Sequence, residues 1–402
     1  MRAMAEDLLT LAQAQRLILA RAKPLETESV PLEQAAGRIV REPARAIVDL
    51  PPFASSAMDG FAVRAADTPG TLPVVAHIAA GRPAPRALGA GEAMAIATGG
   101  VVPDGADAVI PVEYVVQSDN AVKISAAVAA TTNVRPRGGD VRAGEVVVPA
   151  GERLGPVHLG ALAAAGVAAV SCARRPRAAV VTTGTELRQP GEQLAPGEIY
   201  ESNGLILASQ LVTAGAIVER VAVVADDEDA HRAALARGLE ADVLVTSGGV
   251  SVGPHDLVRR VEAELGVEEV FWRVAVKPGK PISFGVRGST LVFGLPGNPV
   301  SSLVGFELFV RPAVLAIQSA ANPLPRFEAG ILGQTLRRNA LRDELVRARS
   351  DQVDGETQLE PLSGQESHMI VRAASADALV LLPRGEGDVP AGAHVQYLRL
   401  IH

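Results

Sequence analysis

The clearest pattern in the chain runs from residue 177 to about residue 315, where short apolar runs alternate with amphipathic segments. Short β-branched runs predict buried strands, and apolar positions three and four residues apart predict helices. Strands are predicted at 178–182, 217–224, 243–246 and 291–293, and helices at 203–214, 229–239, 256–265 and 300–317. This alternation predicts an α/β domain at 175–324 with an open, doubly wound parallel sheet.

Different patterns surround this domain. Residues 49–136 hold short alternating apolar runs among many prolines and glycines, which predict an inserted β-rich domain. The flanks, 1–48 and 137–174, hold predicted helices, so we expect them to form one discontinuous linker domain. The last part, 325–402, follows an Asn-Pro-Leu-Pro linker, and its short alternating runs predict a small β barrel or sandwich. The expected fold class is therefore a multidomain α/β protein.

Composition excludes several classes of protein. The 48% apolar content is ample for buried cores. A net charge of −7 gives no sign of the basic surface that nucleic-acid-binding proteins carry. Cys172 is the only cysteine, which excludes an intrachain disulfide framework and a cysteine-rich metal site. The uncharged stretch 154–173 contains glycine, proline and much alanine, so it predicts a buried helix and strand rather than a membrane span. No secretory signal is recognisable, and we expect a cytoplasmic protein without a membrane partner.

Three polar, glycine-rich loops follow predicted strands of the α/β domain, at 182–187, 247–253 and 294–302. Ligands of open parallel sheets bind at the carboxyl ends of the strands. The third loop also begins a helix, whose first N–H groups are free to bind an anion. One phosphate-bearing ligand is therefore predicted. The candidate binding residues are Thr183, Gly184, Ser247, Gly248, Gly249, Gly297, Asn298 and Ser301.

Carboxylates occupy the same predicted edge of the sheet. Glu186, Asp226 or Asp227, and Asp256 follow strands or the glycine loops. Mg²⁺ takes a few carboxylates plus substrate oxygens, and a shared cation would offset the repulsion between like charges. The alternative is that these residues cap helices or favour a helix dipole.

Two further features are candidates for anion binding and for site closure. Lys277 and Lys280 lie on one proline-rich loop, and an anion site is favoured there over a surface lysine pair. Asp59, Thr98 and Asp140 lie in polar loops, but on residue types alone Asp59 reads as the corner of a hairpin turn. The sequence lacks histidine pairs at metal-binding spacing, the nucleophile elbow, the dinucleotide fingerprint and the P-loop.

In combination, seven segments resemble the molybdopterin molybdenumtransferases, the molybdenum-cofactor insertion proteins of the MoeA and gephyrin E-domain type. They cover nearly the whole chain in the order of the family. The segments are Ser-Ala-Met-Asp-Gly-Phe-Ala at 56–62, Thr-Gly-Gly at 98–100 with Pro-Asp-Gly-Ala-Asp-Ala-Val at 103–109, Asn-Val-Arg-Pro-Arg-Gly-Gly-Asp at 133–140, Thr-Gly-Thr-Glu-Leu at 183–187, Ser-Gly-Gly-Val-Ser-Val-Gly at 247–253, Lys-Pro-Gly-Lys-Pro at 277–281 and Gly-Leu-Pro-Gly-Asn-Pro-Val-Ser at 294–301.

The resemblance implies four domains, an elongated homodimer and transient contact with molybdopterin adenylyltransferase and other proteins of the pathway. It implies that molybdate is inserted into adenylylated molybdopterin with Mg²⁺ and that AMP is released by hydrolysis. It also implies a role for each group of candidate residues. The carboxylates named above bind the pyrophosphate, and Glu186 and Asp256 bind the metal. Molybdate is held by Lys277, Lys280, Arg347 or Arg349, and Ser367, and the site is closed from the partner subunit by Asp59, Thr98 and Asp140.

Three departures from the family pattern affect these expectations. Thr185 stands where many relatives carry aspartate, and Pro254-His255 precede Asp256 where an acidic residue is common. Glu366 precedes Ser367, and its charge opposes anion binding unless it is paired or turned away.

Two alternative functions remain open from the sequence. One is adenylylation of molybdopterin, because free-standing enzymes of that kind share the central α/β domain. The other is a scaffold that kept the fold and lost the chemistry. The Met58-Asp59-Gly60 loop and the additional domains favour the insertion reaction over the first, and retention of Glu186 and Lys277 argues against the second.

Overall fold

The computed structural model describes residues 8–225, 227–249 and 257–400. The chain forms two compact units. One comprises the described residues up to Glu28, the segment Gly37–Arg41 and everything from Cys172 onward, and the other comprises Ser29–Ala36 and Glu42–Ser171. The division into four domains with the boundaries given above stays a prediction.

A six-stranded sheet organises the α/β part of the first unit. Its first four strands are parallel, which confirms the four predicted strands. The fifth strand is antiparallel to both of its neighbours. In spatial order the strands are Ile217–Val224, Arg177–Thr183, Val243–Ser247, Thr290–Leu295, Ser283–Arg287 and Glu268–Trp272.

The expectation of a wholly parallel sheet is therefore wrong at one edge. Ser283–Arg287 and Thr290–Leu295 are joined by Gly288 and Ser289, and so short a turn can connect only antiparallel neighbours. Gly288 has φ +60, a left-handed conformation that glycine adopts without strain.

Helices cover both faces of this sheet, as a doubly wound fold requires. Val180 and Val181 are consecutive strand residues that pack into different core clusters, because side chains alternate across a strand. The helices of this part are Asn203–Thr213, Glu228–Gly238, Leu257–Glu264, Pro299–Gly305 and Arg311–Ile317, the last two joined by the π-helical turn Phe306–Val310.

The helix Leu11–Leu19 packs against the core cluster that contains Val180. Thr10 and Gln13 form a capping box, in which each side chain accepts a hydrogen bond from the backbone N–H of the other residue. Gln15 is buried and donates to the carbonyl of Leu308 at 3.0 Å, in the π-helical turn. A π turn disrupts the regular hydrogen bonding of a helix, and a side-chain donor from a neighbouring helix restores a partner there.

Within the described residues, one helix, Pro299–Ile317, is long and apolar enough to cross a membrane. Of its 18-residue window, 78% is buried inside the protein. Core helices have the same length and composition, so this helix is weak evidence for a membrane span.

The end of the chain forms a β barrel, which decides between the two predicted alternatives. Asp343–Val353 pairs with both Glu356–Pro361 and Ala378–Leu382, and the remaining pairings close the ring. The barrel strands are Phe327–Leu332, Asp343–Val353, Glu356–Pro361, Ala378–Leu382 and His394–Arg399, with the short helix Ile370–Ala373 and the two-residue pair Leu336–Arg337 and Asp388–Val389 beside them. Val276–Lys277 adds a short parallel strand to Asp343–Val353.

The second unit is rich in β structure, as predicted. A six-stranded sheet has the spatial order Ala108–Pro111, Gly60–Val63, Ala93–Ile96, Gly70–Ile78, Ala121–Ile124 and Val115–Ser118. The remaining elements of this unit include the helix Pro156–Ala164 and the two antiparallel pairs Ala44–Arg45 with Val146–Val148 and Ser55–Ser56 with Val134–Arg135. The stretch 154–173 is a helix followed by the strand Ala169–Ala173, as predicted.

Candidate active site

A cavity of about 1010 Å³ lies at the carboxyl ends of three parallel strands in the first unit. The strands Arg177–Thr183, Val243–Ser247 and Thr290–Leu295 end at this cavity, as the three-loop prediction requires. Eight of the predicted site residues line the cavity together: Thr183, Gly184, Glu186, Ser247, Gly248, Gly249, Gly297 and Asn298.

The second and third loops are held together by two side chains of the cavity wall, those of Asn203 and Ser247. The amide nitrogen of Asn203 donates to the hydroxyl of Ser247 at 2.9 Å and to the carbonyl of Gly297 at 2.7 Å. Ser247 is 2% exposed, and its hydroxyl donates to the carbonyl of Pro296 at 3.2 Å. The hydroxyl of Ser247 is thus engaged within the protein, where it fixes the spacing of the two loops.

Two glycines allow the first and second loops to approach each other closely. Gly248 and Gly249 have φ values of +94 and +66. A Cβ atom on Gly248 would lie 2.6 Å from the backbone oxygen of Thr183. The hydroxyl of Thr183 is buried and has no hydrogen-bond partner among the described residues. A buried hydroxyl without a partner costs free energy, so a ligand that bonds to it gains correspondingly.

The third loop leads into the helix Pro299–Gly305, as predicted, and proline occupies the first turn of that helix. The predicted row of free N–H groups is incomplete, because Val300 donates to the carbonyl of Ser367 at 3.0 Å. The side chain of Asn298 donates to the hydroxyl of Ser367 at 2.9 Å rather than capping the helix. Ser367 therefore lies at the start of this helix, beside the cavity.

Arg347 and Arg349 have different environments, which the sequence could not distinguish. Arg347 is 1% exposed, and its guanidinium donates to the carbonyls of Gly364 at 2.8 Å, Glu366 at 3.2 Å and Met369 at 2.9 Å. Arg349 is exposed and donates to a backbone carbonyl elsewhere in the barrel. Neither side chain lines the cavity, and Arg347 instead holds the loop that carries Ser367.

The charge of Glu366 is exposed, while its backbone oxygen is bound by Arg347. Burial lowers the pKa of Arg347, and the nearby negative charge of Glu366 acts in the opposite direction. Glu366 is therefore close enough to Arg347 to offset part of the cost of burying that charge.

The lysine loop ends at the cavity, but its two ammonium groups do not line it. Pro281 is part of the cavity wall, whereas Lys277 and Lys280 are not. Lys277 forms an ion pair with Glu344 at 2.8 Å. Lys280 has no ion pair within the ranges that the structure describes.

Of the two predicted sheet-edge carboxylates that the structure describes, Glu186 lines the cavity and Asp227 does not. A Cβ atom on Gly184 would lie 2.6 and 2.7 Å from the carboxylate oxygens of Glu186, so glycine leaves room for this side chain. Asp227 accepts a hydrogen bond from the N–H of Ala230 at 2.8 Å, which confirms the helix-cap interpretation for this residue. Asp226 and Asp256 lie outside the described residues, and the described part of the chain contains no cluster of three or more metal-ligating side chains.

In the second unit, Asp59 and Thr98 lie together. The backbone N–H and the hydroxyl of Thr98 donate to one carboxylate oxygen of Asp59 at 2.6 and 2.9 Å. These two hydrogen bonds lower the pKa of Asp59 and keep it ionised. Asp140 is exposed, and its N–H donates to the carbonyl of Leu50.

The hairpin interpretation of the Asp59 loop is wrong. Ser55–Ser56 pairs with Val134–Arg135, whereas Gly60–Val63 pairs with two other strands. A Cβ atom on Gly60 would collide with the backbone oxygen of Ile110, so glycine is required here for close packing rather than for a turn.

Several residues of the cavity wall are not among the predicted site residues, and they include Tyr200, Glu201, Asn203, Arg260 and His368. The first three stand at the start of a predicted helix whose N-terminus faces the same edge of the sheet. Their place at the start of this helix could therefore have predicted that they line the cavity. No local pattern marks Arg260 or His368 as cavity residues.

The chain matches three family models in succession. Residues 9–166 match the MoeA N-terminal region (domain I and II), residues 179–316 match a probable molybdopterin binding domain, and residues 329–400 match the MoeA C-terminal region (domain IV).

Named relatives and solved structures agree with these matches. The chain is 36% identical over 402 residues to molybdopterin molybdenumtransferase 2 of Mycobacterium tuberculosis, which covers 96% of this chain and 98% of the relative. It is 35% identical to molybdopterin molybdenumtransferase of Haemophilus influenzae, over 96% of this chain and 98% of that protein. A crystal structure of the molybdopterin biosynthesis MoeA protein from Pyrococcus horikoshii is similar with a TM-score of 0.84 and 27% identity, covering 98% of this chain and 100% of that one. The chain therefore belongs to the molybdopterin molybdenumtransferase family, the MoeA proteins, and is a transferase of molybdenum cofactor biosynthesis.

Proposed function

We propose that this protein inserts molybdate into adenylylated molybdopterin and releases AMP by hydrolysis of the pyrophosphate bond. The observation that carries the proposal is the convergence of three glycine-rich loops on one cavity of about 1010 Å³. Its relatives are named for this transfer. A cavity of this size suits a ligand as large as a pterin joined to a nucleotide.

The phosphates of the substrate are assigned to the loops. Gly248, Gly249 and Gly297 bring backbone to the cavity wall, and the N–H of Gly248 already donates to the carbonyl of Leu295. The donors assigned to the phosphates are therefore the N–H groups of Gly249 and Gly297 and the unpartnered hydroxyl of Thr183. Oxyanions are bound well by such preorganised donors in a site that excludes bulk water.

The cavity offers a carboxylate ligand for a Mg²⁺ ion. Mg²⁺ at phosphate sites needs only one or two protein carboxylates, because substrate oxygens and water complete its shell. Glu186 is a carboxylate in the cavity, and Asp256 is the second ligand implied by the family resemblance. When bound, the ion would neutralise charge on the pyrophosphate.

Molybdate is assigned to the region between Ser367 and the lysine loop. Ser367 is held beside the helix start by Asn298, and Lys280 is a cation on the neighbouring loop without an ion pair in the described ranges. Lys277 takes part by exchanging Glu344 for the oxyanion, since both are anions that bind an ammonium group. Arg347 contributes by fixing the position of Ser367.

We further propose a cytoplasmic homodimer in which Asp59, Thr98 and Asp140 of one subunit close the cavity of the other. The ionised state of Asp59 suits it to orient a substrate donor or an ion. Transient contact with the adenylyltransferase that makes the substrate completes the proposal, with no role for nucleic acid or a membrane.

The direct experiment follows AMP release from adenylylated molybdopterin by purified protein with Mg²⁺ and molybdate. We expect AMP release above the buffer rate, and a strongly reduced rate for Glu186→Gln. Thr185→Ala, an exposed neighbour of Glu186 that does not line the cavity, is the matched control. An AMP release rate equal to that of buffer would refute the proposal, and consumption of ATP to adenylylate free molybdopterin would establish the alternative.

A further inference from the structure

A short arm of the chain adds an apolar wall to the cavity. The strands Leu187–Arg188 and Ile199–Tyr200 pair in parallel at the base of the arm. Leu187, Ile199 and Tyr200 line the cavity, and Tyr200 is 47% exposed. The glycine loops are polar, so these side chains give one part of the cavity wall a different chemistry.

The ring of Tyr200 is fixed at both ends. Its hydroxyl donates to the carbonyl of Glu192 at 2.8 Å within the arm. On the backbone side, the N–H of Ile199 donates to the carbonyl of Glu186 at 2.9 Å, and the N–H of Glu201 donates to that of Arg188 at 2.8 Å. Little conformational entropy remains for this ring to lose when a ligand contacts it.

The arm itself is stabilised from within. Glu192 accepts a hydrogen bond from the N–H of Gln189 at 2.9 Å, and Glu198 accepts one from the N–H of Ala195 at 2.7 Å. Arg188 forms an ion pair with Glu198 across the base. These hydrogen bonds and this ion pair hold the exposed ring of Tyr200 in one position. A loop without such internal contacts would leave the ring free to move.

We infer that Tyr200 is the stacking surface for a planar nitrogen heterocycle of the substrate. The inference rests on the proposed function, which supplies two such rings, the adenine and the pterin. The phosphate groups between them are assigned to the polar loops, and a loop of backbone donors offers no face for a ring. An aromatic side chain on the same cavity wall offers one, because every nucleobase and pterin has a π-face.

The inference is tested by binding measurements on variants that separate the ring from its hydroxyl. Tyr200→Phe keeps the ring, and Tyr200→Leu removes the π-face while keeping an apolar side chain. Tyr114→Leu replaces a tyrosine that is 74% exposed in the other unit and serves as the control. Affinity is measured by calorimetry for AMP, for ribose 5-phosphate and for 6-hydroxymethylpterin.

If adenine stacks on the ring, Tyr200→Leu weakens AMP binding about tenfold or more, and ribose 5-phosphate binding does not change. If the pterin stacks there, the same loss appears for 6-hydroxymethylpterin and AMP binding is unchanged. In either case Tyr200→Phe stays within about threefold of the wild type, because one exposed hydrogen bond contributes little.

Three results overturn the inference: unchanged affinity of Tyr200→Leu for both ring compounds, an equal loss for ribose 5-phosphate, or no binding of either ring compound by the wild type. AMP release by the wild type is measured in parallel. If the wild type releases AMP while Tyr200→Leu binds normally, only the role of Tyr200 fails. If the wild type releases no AMP, the proposed function fails.

Discussion

Replacing Arg347 should release the loop that carries Ser367. Its guanidinium donates to three carbonyls of residues 364–369 and is almost fully buried. Hydrogen bonds from a charged donor are worth about 1.5–3 kcal/mol each, so about 4–9 kcal/mol of interaction is lost in Arg347→Met. Part of this returns because the buried charge no longer has to be desolvated. We expect a net loss of about 2–4 kcal/mol.

The loss should be local, because the guanidinium of Arg347 binds only residues 364–369, while the side chain of Gln365 still joins this loop to the backbone of the barrel strand. Hydrogen exchange of the amides at 364–369 should accelerate in Arg347→Met, while the amides of Thr290–Leu295 stay protected. Arg349→Met is the matched control, since that side chain is exposed and donates to the backbone carbonyl of Ser375.

Arg347→Lys separates positioning from direct binding of molybdate. Lysine keeps the charge but lacks the planar fork that reaches several carbonyls at once. If Arg347 positions Ser367, this variant loses molybdate affinity and loop protection together. Unchanged exchange of the loop amides in Arg347→Met, or full molybdate affinity in Arg347→Lys, would refute the reasoning.

Three further predictions concern single contacts. The hydrogen bonds from Thr98 lower the pKa of Asp59, so its ionised form persists as pH falls. Thr98→Val removes the hydroxyl donor, so it should raise this pKa and shift the acid limb of the pH profile of AMP release to higher pH. An unshifted acid limb would contradict this role of Thr98. Gly248→Ala should lower the free energy of unfolding more than Gly266→Ala, because both glycines have positive φ but only at Gly248 would a Cβ meet the backbone. Urea unfolding of the two variants compares the losses, and equal losses would exclude a steric clash as the cause. Asn203→Ala should cost about 1–3 kcal/mol in the same assay, since the buried hydroxyl of Ser247 and the carbonyl of Gly297 lose their donor, and a loss below about 0.5 kcal/mol would contradict the bridging role.

The α/β core was predictable because its signals are local. Apolar runs of the right length mark the parallel strands, and polar glycine-rich loops follow them. The rule that ligands bind at carboxyl ends of strands then brings Thr183, Gly248 and Gly297 together without knowledge of any contact. The antiparallel edge is harder to predict, because the apolar run at 282–284 is short and directly follows the proline-rich lysine loop.

The roles of the polar side chains were less predictable because their partners are distant in sequence. Asn203 bonds to Ser247 and Gly297, and Lys277 pairs with Glu344 from a barrel strand. Nothing near Arg347 in the sequence indicates that its charge is buried. Alternation along the strand requires Arg347 and Arg349 to face opposite sides, but only the closed barrel shows which one faces inward.

The proposed function requires that one cavity binds the pyrophosphate while molybdate is inserted nearby. It is tested most directly by measuring AMP released and molybdenum incorporated in a single turnover of adenylylated molybdopterin on the purified protein. We predict that the two products form in a one-to-one ratio and that Glu186→Gln slows both equally. AMP release without molybdenum incorporation, or incorporation without AMP release, would contradict the account.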